Sequence, residues 1–426
     1  MSKNIISSKV SMGGGNHSSS KKLVLSLVAI SFLSSYSYAN NTNVKAYSGA
    51  NSKSRSANVY SSQARINTTI NQSLSNTQTI TDTGNTLVIG SSGTIQVSNN
   101  SHIAVDFKPS SSTDIFKNEG TVQGGSNKTS VQVGANGNSG GGATINTFTN
   151  SGIIGNGTSK FGITVWGKSD NKSSITNFSN SGTINSKNGE SIYLGNADIQ
   201  TFNNSGIISS NNSAQGINID SGTTIETFTN SGTLIGGNNG SSVRVGGNKT
   251  GGTTIETFTN EGIIGNGTSE FGVVIWGTSN NKSTINNFNN RGTISSNNGA
   301  NIYLDNADIQ TFDNSGIISS DSDRAINIQN GTTTIETFNN SGTISSGGLQ
   351  GINIDRGTTI KTFTNSGTIK SKNREGINIG NGTIETFTNT GLISGIRGIN
   401  LNQSSIKTLT NKGTIEASLN GINFYA

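Results

Sequence analysis

The chain has 426 residues, of which only 29% are hydrophobic, with 57 glycines, one proline and no cysteine. The lack of cysteine excludes a disulfide framework, Cys/His zinc sites and a thiol nucleophile. The formal charge of +6 misleads: residues 1–39 hold Lys3, Lys9, Lys21 and Lys22 and no acid, and taking those four from 28 leaves 24 basic against 22 acidic side chains. No basic stripe interleaved with aromatics remains to grip nucleic acid, so no nucleic-acid partner is expected.

Lys21-Lys22 precedes the apolar run Leu23–Leu33, and small residues follow at Ser37 and Ala39. This is the pattern of a secretory signal peptide, with cleavage expected between Ala39 and Asn40. An apolar run of 11 residues is well short of the ~20 that span a bilayer. The polar residues before Lys21 make it an N-extended signal covering 1–39. Residues 40–78 lack periodicity and read as a flexible lead-in. Residues 79–115, with short β-prone runs at Thr86–Ile89 and Thr94–Val97, read as irregular N-terminal coils or a cap.

From 116 to 426 one phrase recurs twelve times: Phe-x-Asn-x-Gly-x-aliphatic. It starts at Phe116, Phe148, Phe178, Phe202, Phe228, Phe258, Phe288, Phe312, Phe338, Phe363, Phe387 and, with leucine, Leu409. A fixed self-similarity of 22–32 residues marks a stacked-repeat architecture. Low hydrophobicity alone would argue for disorder, but disorder does not hold four residue types at fixed spacing. On a strand, residues two apart share a face, so Phe, Asn, Gly and the aliphatic point inward. Glycine beside an inward asparagine suits a bend. Each copy is followed by an apolar-x-apolar pair such as Ile352/Ile354, then by an aliphatic three residues before the next Phe, such as Ile335 before Phe338. That odd step breaks the alternation and is read as a further corner. The expected fold is all-β: a right-handed parallel β-helix, three-sided, of about twelve coils and roughly 60 Å at ~4.8 Å per coil. Its phenylalanines would stack and its asparagines would form a hydrogen-bonded ladder. Residues 152–210 and 262–320 nearly coincide in text, 110 residues apart, so a four-coil block has been duplicated.

Catalytic parts are scarce. The two histidines are His17, in the signal, and His102. Asp198, Asp220, Asp305, Asp308, Asp321, Asp323 and Asp355 are scattered beside turns, which fits solvated carboxylates better than the cluster of a polysaccharide-cutting enzyme. No catalytic residue, cofactor or metal site is assigned, and no enzyme activity is expected. Trp166 and Trp276 follow inward Val165 and Ile275, so parity turns them outward. They are the named contact candidates, for sugars or a partner protein, against the blander reading of packing under a long turn. Threonine pairs such as Thr227/Thr229 flank several phenylalanines, and β-propensity on a solvated face explains them better than ice binding does.

The N-extended signal, the Thr-Phe-Thr-Asn-Ser-Gly-Thr-Ile coils, the near absence of proline and the absence of cysteine resemble passenger domains of type V autotransporters. The closest likeness is to vacuolating-cytotoxin-like and adhesin-like passengers. The resemblance implies a non-catalytic exported passenger that binds host or bacterial cell-surface glycans or proteins. The alternatives are a toxin-like passenger acting on host membranes and a non-functional truncated fragment. Such passengers reach the cell surface through a C-terminal membrane barrel, and no alternating ten-residue strands are found up to Ala426. The expectation is therefore that the barrel is lost or encoded in a following frame, with the chain in the periplasm, or at the surface if a barrel is supplied.

Overall fold

A computed structural model describes residues 67–97, 99–135, 140–247, 252–329 and 331–425. The expected cleavage site at Ala39 and Asn40 lies outside them. Among the described residues there is no helix, and every strand pairs in parallel with the equivalent strand of the next coil. The strands fall into three ladders, one per face. The first holds fourteen strands, from Asn67–Ile70 to Ser405–Asn411. The second and third merge into one 26-stranded sheet. They do so because Leu392–Asn402 and Thr414–Tyr425 each run through both faces without a break.

Residues of the same kind stack, as the parity of the motif requires. On face one Ile145, Phe148 and Asn150 meet Ile175, Phe178 and Asn180. On face two Ile154 meets Ile184, and on face three Ile163 and Val165 meet Ile192 and Leu194. All of these side chains are at most 2% exposed, so the lumen is a single continuous core. From Phe148 to Phe387 successive rings lie 4.5–5.0 Å apart and within 24° of parallel. At the N-terminal end Phe116 tilts and Phe107, from face three, closes the stack edge-on at 5.5 Å.

Three expectations change. The stack begins earlier than the motif does, because Asn67–Ile70, inside the stretch read as lead-in, pairs with Thr86–Ile89, while the coils of 79–115 carry register shifts between Thr83 and Thr86. Leu87 and Ile89 stand opposite Phe116 and Asn118, so these coils carry aliphatics where the phrase has Phe and Asn. With them the count rises from twelve coils to fourteen. The odd step before each Phe is not a corner either. Ile145 and Phe148 lie on the same strand, with Asn146 and Thr147 both turned outward between them. The corner after face three lies instead in the 167–172 segment, between Trp166 and Ser173.

The corner after Asn is built as expected but for a different reason. The carbonyl of Asn150 accepts the N–H groups of Ser181 and Gly182 in the next coil, at 2.8 and 3.1 Å. A Cβ on Gly182 would lie 2.1 Å from the carbonyl oxygen of Gly152 below it. None of the motif glycines has a positive φ. Glycine is required by coil-to-coil approach, not by a special backbone conformation.

Candidate ligand-binding face

The residue between the paired aliphatics of face three points away from the lumen. In register along the stack this position reads Thr164, Tyr193, Asn218, Arg244, Val274, Tyr303 and Asn327. Trp166 and Trp276 stand two residues further along their strands, on the same side, opposite Gly195 and Asp305 of the next coil. Thr164, Asn218, Val274 and Asn327 are at most 5% exposed, so the side chains of this strip that reach the surface are the half-buried Trp166, Tyr193, Arg244, Trp276 and Tyr303.

At its first aromatic cluster Trp166 lies against Tyr193, ring centroids 4.2 Å apart and 34° from parallel. The Tyr193 hydroxyl donates to Asp220 Oδ2 at 2.8 Å. Burial, and then the charge of Asp220, raise the pKa of this phenol well above its ordinary value, so it stays a donor. The other oxygen of Asp220 accepts the N–H of Ser221 at 2.8 Å. Asn218 Nδ2 donates to Glu190 Oε1 at 3.4 Å. Gly195 makes this arrangement possible, since a Cβ there would lie 2.8 Å from Cε1 of Tyr193.

The second cluster, in the duplicated block, is put together differently. Asp305 occupies the place of Gly195, and Tyr303 turns its hydroxyl to Gln329 Oε1 at 2.7 Å. Tyr303 meets Trp276 edge-on at 6.0 Å and Phe271 at 5.8 Å. The guanidinium of Arg244, held by Nε to the carbonyl of Gly246, lies 4.7 Å from the Trp276 centroid, a cation–π contact. Burial raises the carboxyl pKa of both Asp305 and Glu270.

Trp166 and Trp276 are thus half-buried, with the ring of Tyr193 against Trp166 and the guanidinium of Arg244 over Trp276. The carboxylates divide. Asp198 and Asp308 lie on face one, paired with Lys172 and Lys282 at 2.9 and 2.8 Å, and Asp323 pairs with Arg324 at 3.1 Å. Asp220, Asp305 and Asp355 border the strip, and Asp355 accepts from Asn353 at 2.9 Å. Among the described residues no group of three or more His, Cys, Asp or Glu is placed to hold a metal ion. Tyr193, Tyr303, Arg244 and Asn218 were missed from the sequence. Their signal was available: parity turns the middle residue of each apolar-x-apolar pair outward, and from Thr164 to Tyr303 that residue differs from each coil to the next.

A groove of about 650 Å³ lies elsewhere, between the two copies of the Gly-Asn-Gly-Thr-Ser turn, against Gly157, Lys187, Asn212, Asn238 and Thr268. Backbone, short polar side chains, Ile235 and Lys187 line it, with no ring, so the strip is the better-organised site. Compared with known proteins, the chain matches no family model, no curated protein and no solved structure.

Proposed function

We propose that this chain is a non-catalytic, exported binding rod: an adhesin-type passenger of the autotransporter kind whose third face meets a cell-surface ligand. The observation that carries the reading is the strip from Trp166 to Tyr303. The lumen and corners repeat the same residues in coil after coil, whereas from Thr164 to Tyr303 this column changes its chemistry at every step, before it settles into asparagine from Asn327 on, and both tryptophans of the chain stand beside the varied part. Variation confined to an outward face of a repeating scaffold is how solenoids carry recognition. The signal-like segment before Asn40 supports export.

The test is binding of the fluorescently labelled mature chain, from Asn40 onward, to bacterial and epithelial cells. Saturable binding that heat unfolding abolishes is expected. Adsorption that never saturates and equals that of the heat-unfolded chain would overturn the reading.

A further inference from the structure

We infer that the third-face strip is a binding site for neutral, unbranched oligosaccharides, built from two aromatic platforms of which the Trp166–Tyr193 pair is the stronger. The inference rests on the binding-rod reading and adds the ligand class and the residues that recognise it. A pyranose has an apolar C–H face and a rim of hydroxyls. It is recognised by a flat ring and, beside that ring, planar groups able to accept or donate paired hydrogen bonds. Trp166 and Tyr193 supply the ring surface, and the half-buried Asp220 and Glu190 supply the planar groups within the next coils, Glu190 being held by the buried Asn218. Their mutual hydrogen bonds fix these side chains before any ligand arrives, which lowers the entropy lost on binding.

Charge narrows the class. Among the described residues, Glu190, Asp220, Asp305 and Asp355 act on the two tyrosines, against the one cation Arg244, whose guanidinium lies over Trp276. Such a surface repels sulfated, uronic or sialylated chains. Shape narrows it further. The half-buried side chains Trp166, Tyr193, Arg244, Trp276 and Tyr303 follow one another along the stack of coils ~4.8 Å apart, which suits an extended chain lying along the axis.

The two platforms are unequal because of three side chains. In the second block Arg244 covers one face of Trp276, and Tyr303 stands edge-on and is tied to Gln329. In the first block Gln132 holds the place of Arg244, and it is turned to Asp106 at 3.3 Å instead. Gly195, where the second block has Asp305, lets Tyr193 lie beside Trp166.

Trp166 and Trp276 are the only tryptophans in the chain, so intrinsic fluorescence reports on each platform once the other is replaced by Phe. The probes are cellohexaose, xylohexaose and laminarihexaose, with oligogalacturonate and heparin as anionic controls, added to the mature chain. At least one neutral hexasaccharide should shift the emission of Trp166 in the Trp276→Phe variant. Trp166→Ala or Tyr193→Ala should weaken its binding by about tenfold or more, the loss of one aromatic hot spot. Trp276→Ala should weaken it by less than about threefold, and far-UV circular dichroism confirms that each variant is folded. Two results overturn the proposal: anionic probes binding more tightly than neutral ones, or full affinity in folded Trp166→Ala and Tyr193→Ala. If no neutral probe binds at millimolar concentration while the mature chain still binds cells, the ligand class falls and the binding-rod reading stands. If cell binding is also absent, both fall.

Discussion

Each corner asparagine donates one Nδ2 hydrogen to the Oδ1 of the asparagine in the next coil, at 2.7–2.9 Å from Asn118 through to Asn411. The ladder starts at Asn118, whose Oδ1 is buried without a partner because the coil before it has Ile89. A second ladder on face three, Asn327 to Asn423, donates in the opposite direction along the stack. The first was legible from parity alone, since a buried amide survives only if its neighbours are also amides. Asn301 breaks that rule. It is fully buried, and neither amide atom has a hydrogen-bond partner. In the first block Ser191 holds this position and donates to the carbonyl of Ser209 at 2.5 Å. No pattern in the text separates the two, because a single substitution in a copied block says nothing about which partner is lost. Asn301→Ser should therefore raise stability by about 1–2 kcal/mol, the cost of an unsatisfied buried amide. A higher urea midpoint at unchanged m-value is the expected result, and a lower midpoint would sink the argument.

At the scale of the element, the corner and the strand face were readable and the strand itself was not. Alternation placed Phe228, Asn230 and Leu234 inside, as found. The same alternation placed a corner at the three-residue step, where the strand only turns two residues outward, as Glu226 and Thr227 do in this copy. Periodicity records which side chains are inside and not how far a strand extends past a break in the period. Likewise parity turned Trp166 outward, but the Tyr193–Asp220 bond depends on stacking residues 27 apart and on the missing Cβ of Gly195. The motif glycines make a quantitative contrast possible. A Cβ at Gly232 would lie 2.1 Å from the Gly206 carbonyl oxygen, and backbone paired on both sides cannot yield. At Gly157 nothing lies within 4 Å, but φ is +65°. Gly232→Ala should cost about 3 kcal/mol, at the top of the range for overpacking. Gly157→Ala should cost only about 1 kcal/mol, the strain of a left-handed alanine. Equal losses in urea denaturation would mean that the stack accommodates a methyl group at the corner.

At the scale of the whole molecule, the duplication offers a direct test of how the coils cooperate. Residues 152–261 form a 110-residue block, and Gly-Ile-Ile-Gly-Asn-Gly-Thr-Ser stands both at its start, 152–159, and just after its end, 262–269. Joining Ser151 to Gly262 would set Ile264 over Val122, as Ile154 is now. It would also set Phe288 and Asn290 on Phe148 and Asn150 in place of Phe178 and Asn180. Every ladder then closes with its own residue types, and face one drops from fourteen strands to ten. In a solenoid stability is close to a sum of coil and nearest-neighbour terms, so the deletion should lower the unfolding free energy and the m-value together while the fold persists. Small-angle scattering should find the rod shorter by about 19 Å, four steps of ~4.8 Å, with the far-UV signal per residue unchanged. The deletion also removes Trp166, Tyr193 and Arg244 at once and brings Gln132 to the coil before Trp276. It thus leaves one platform, now without its covering guanidinium, and separates the contribution of length from that of the strip. An aggregated product, or one that has lost its β signal, would mean that coils depend on more than their immediate neighbours.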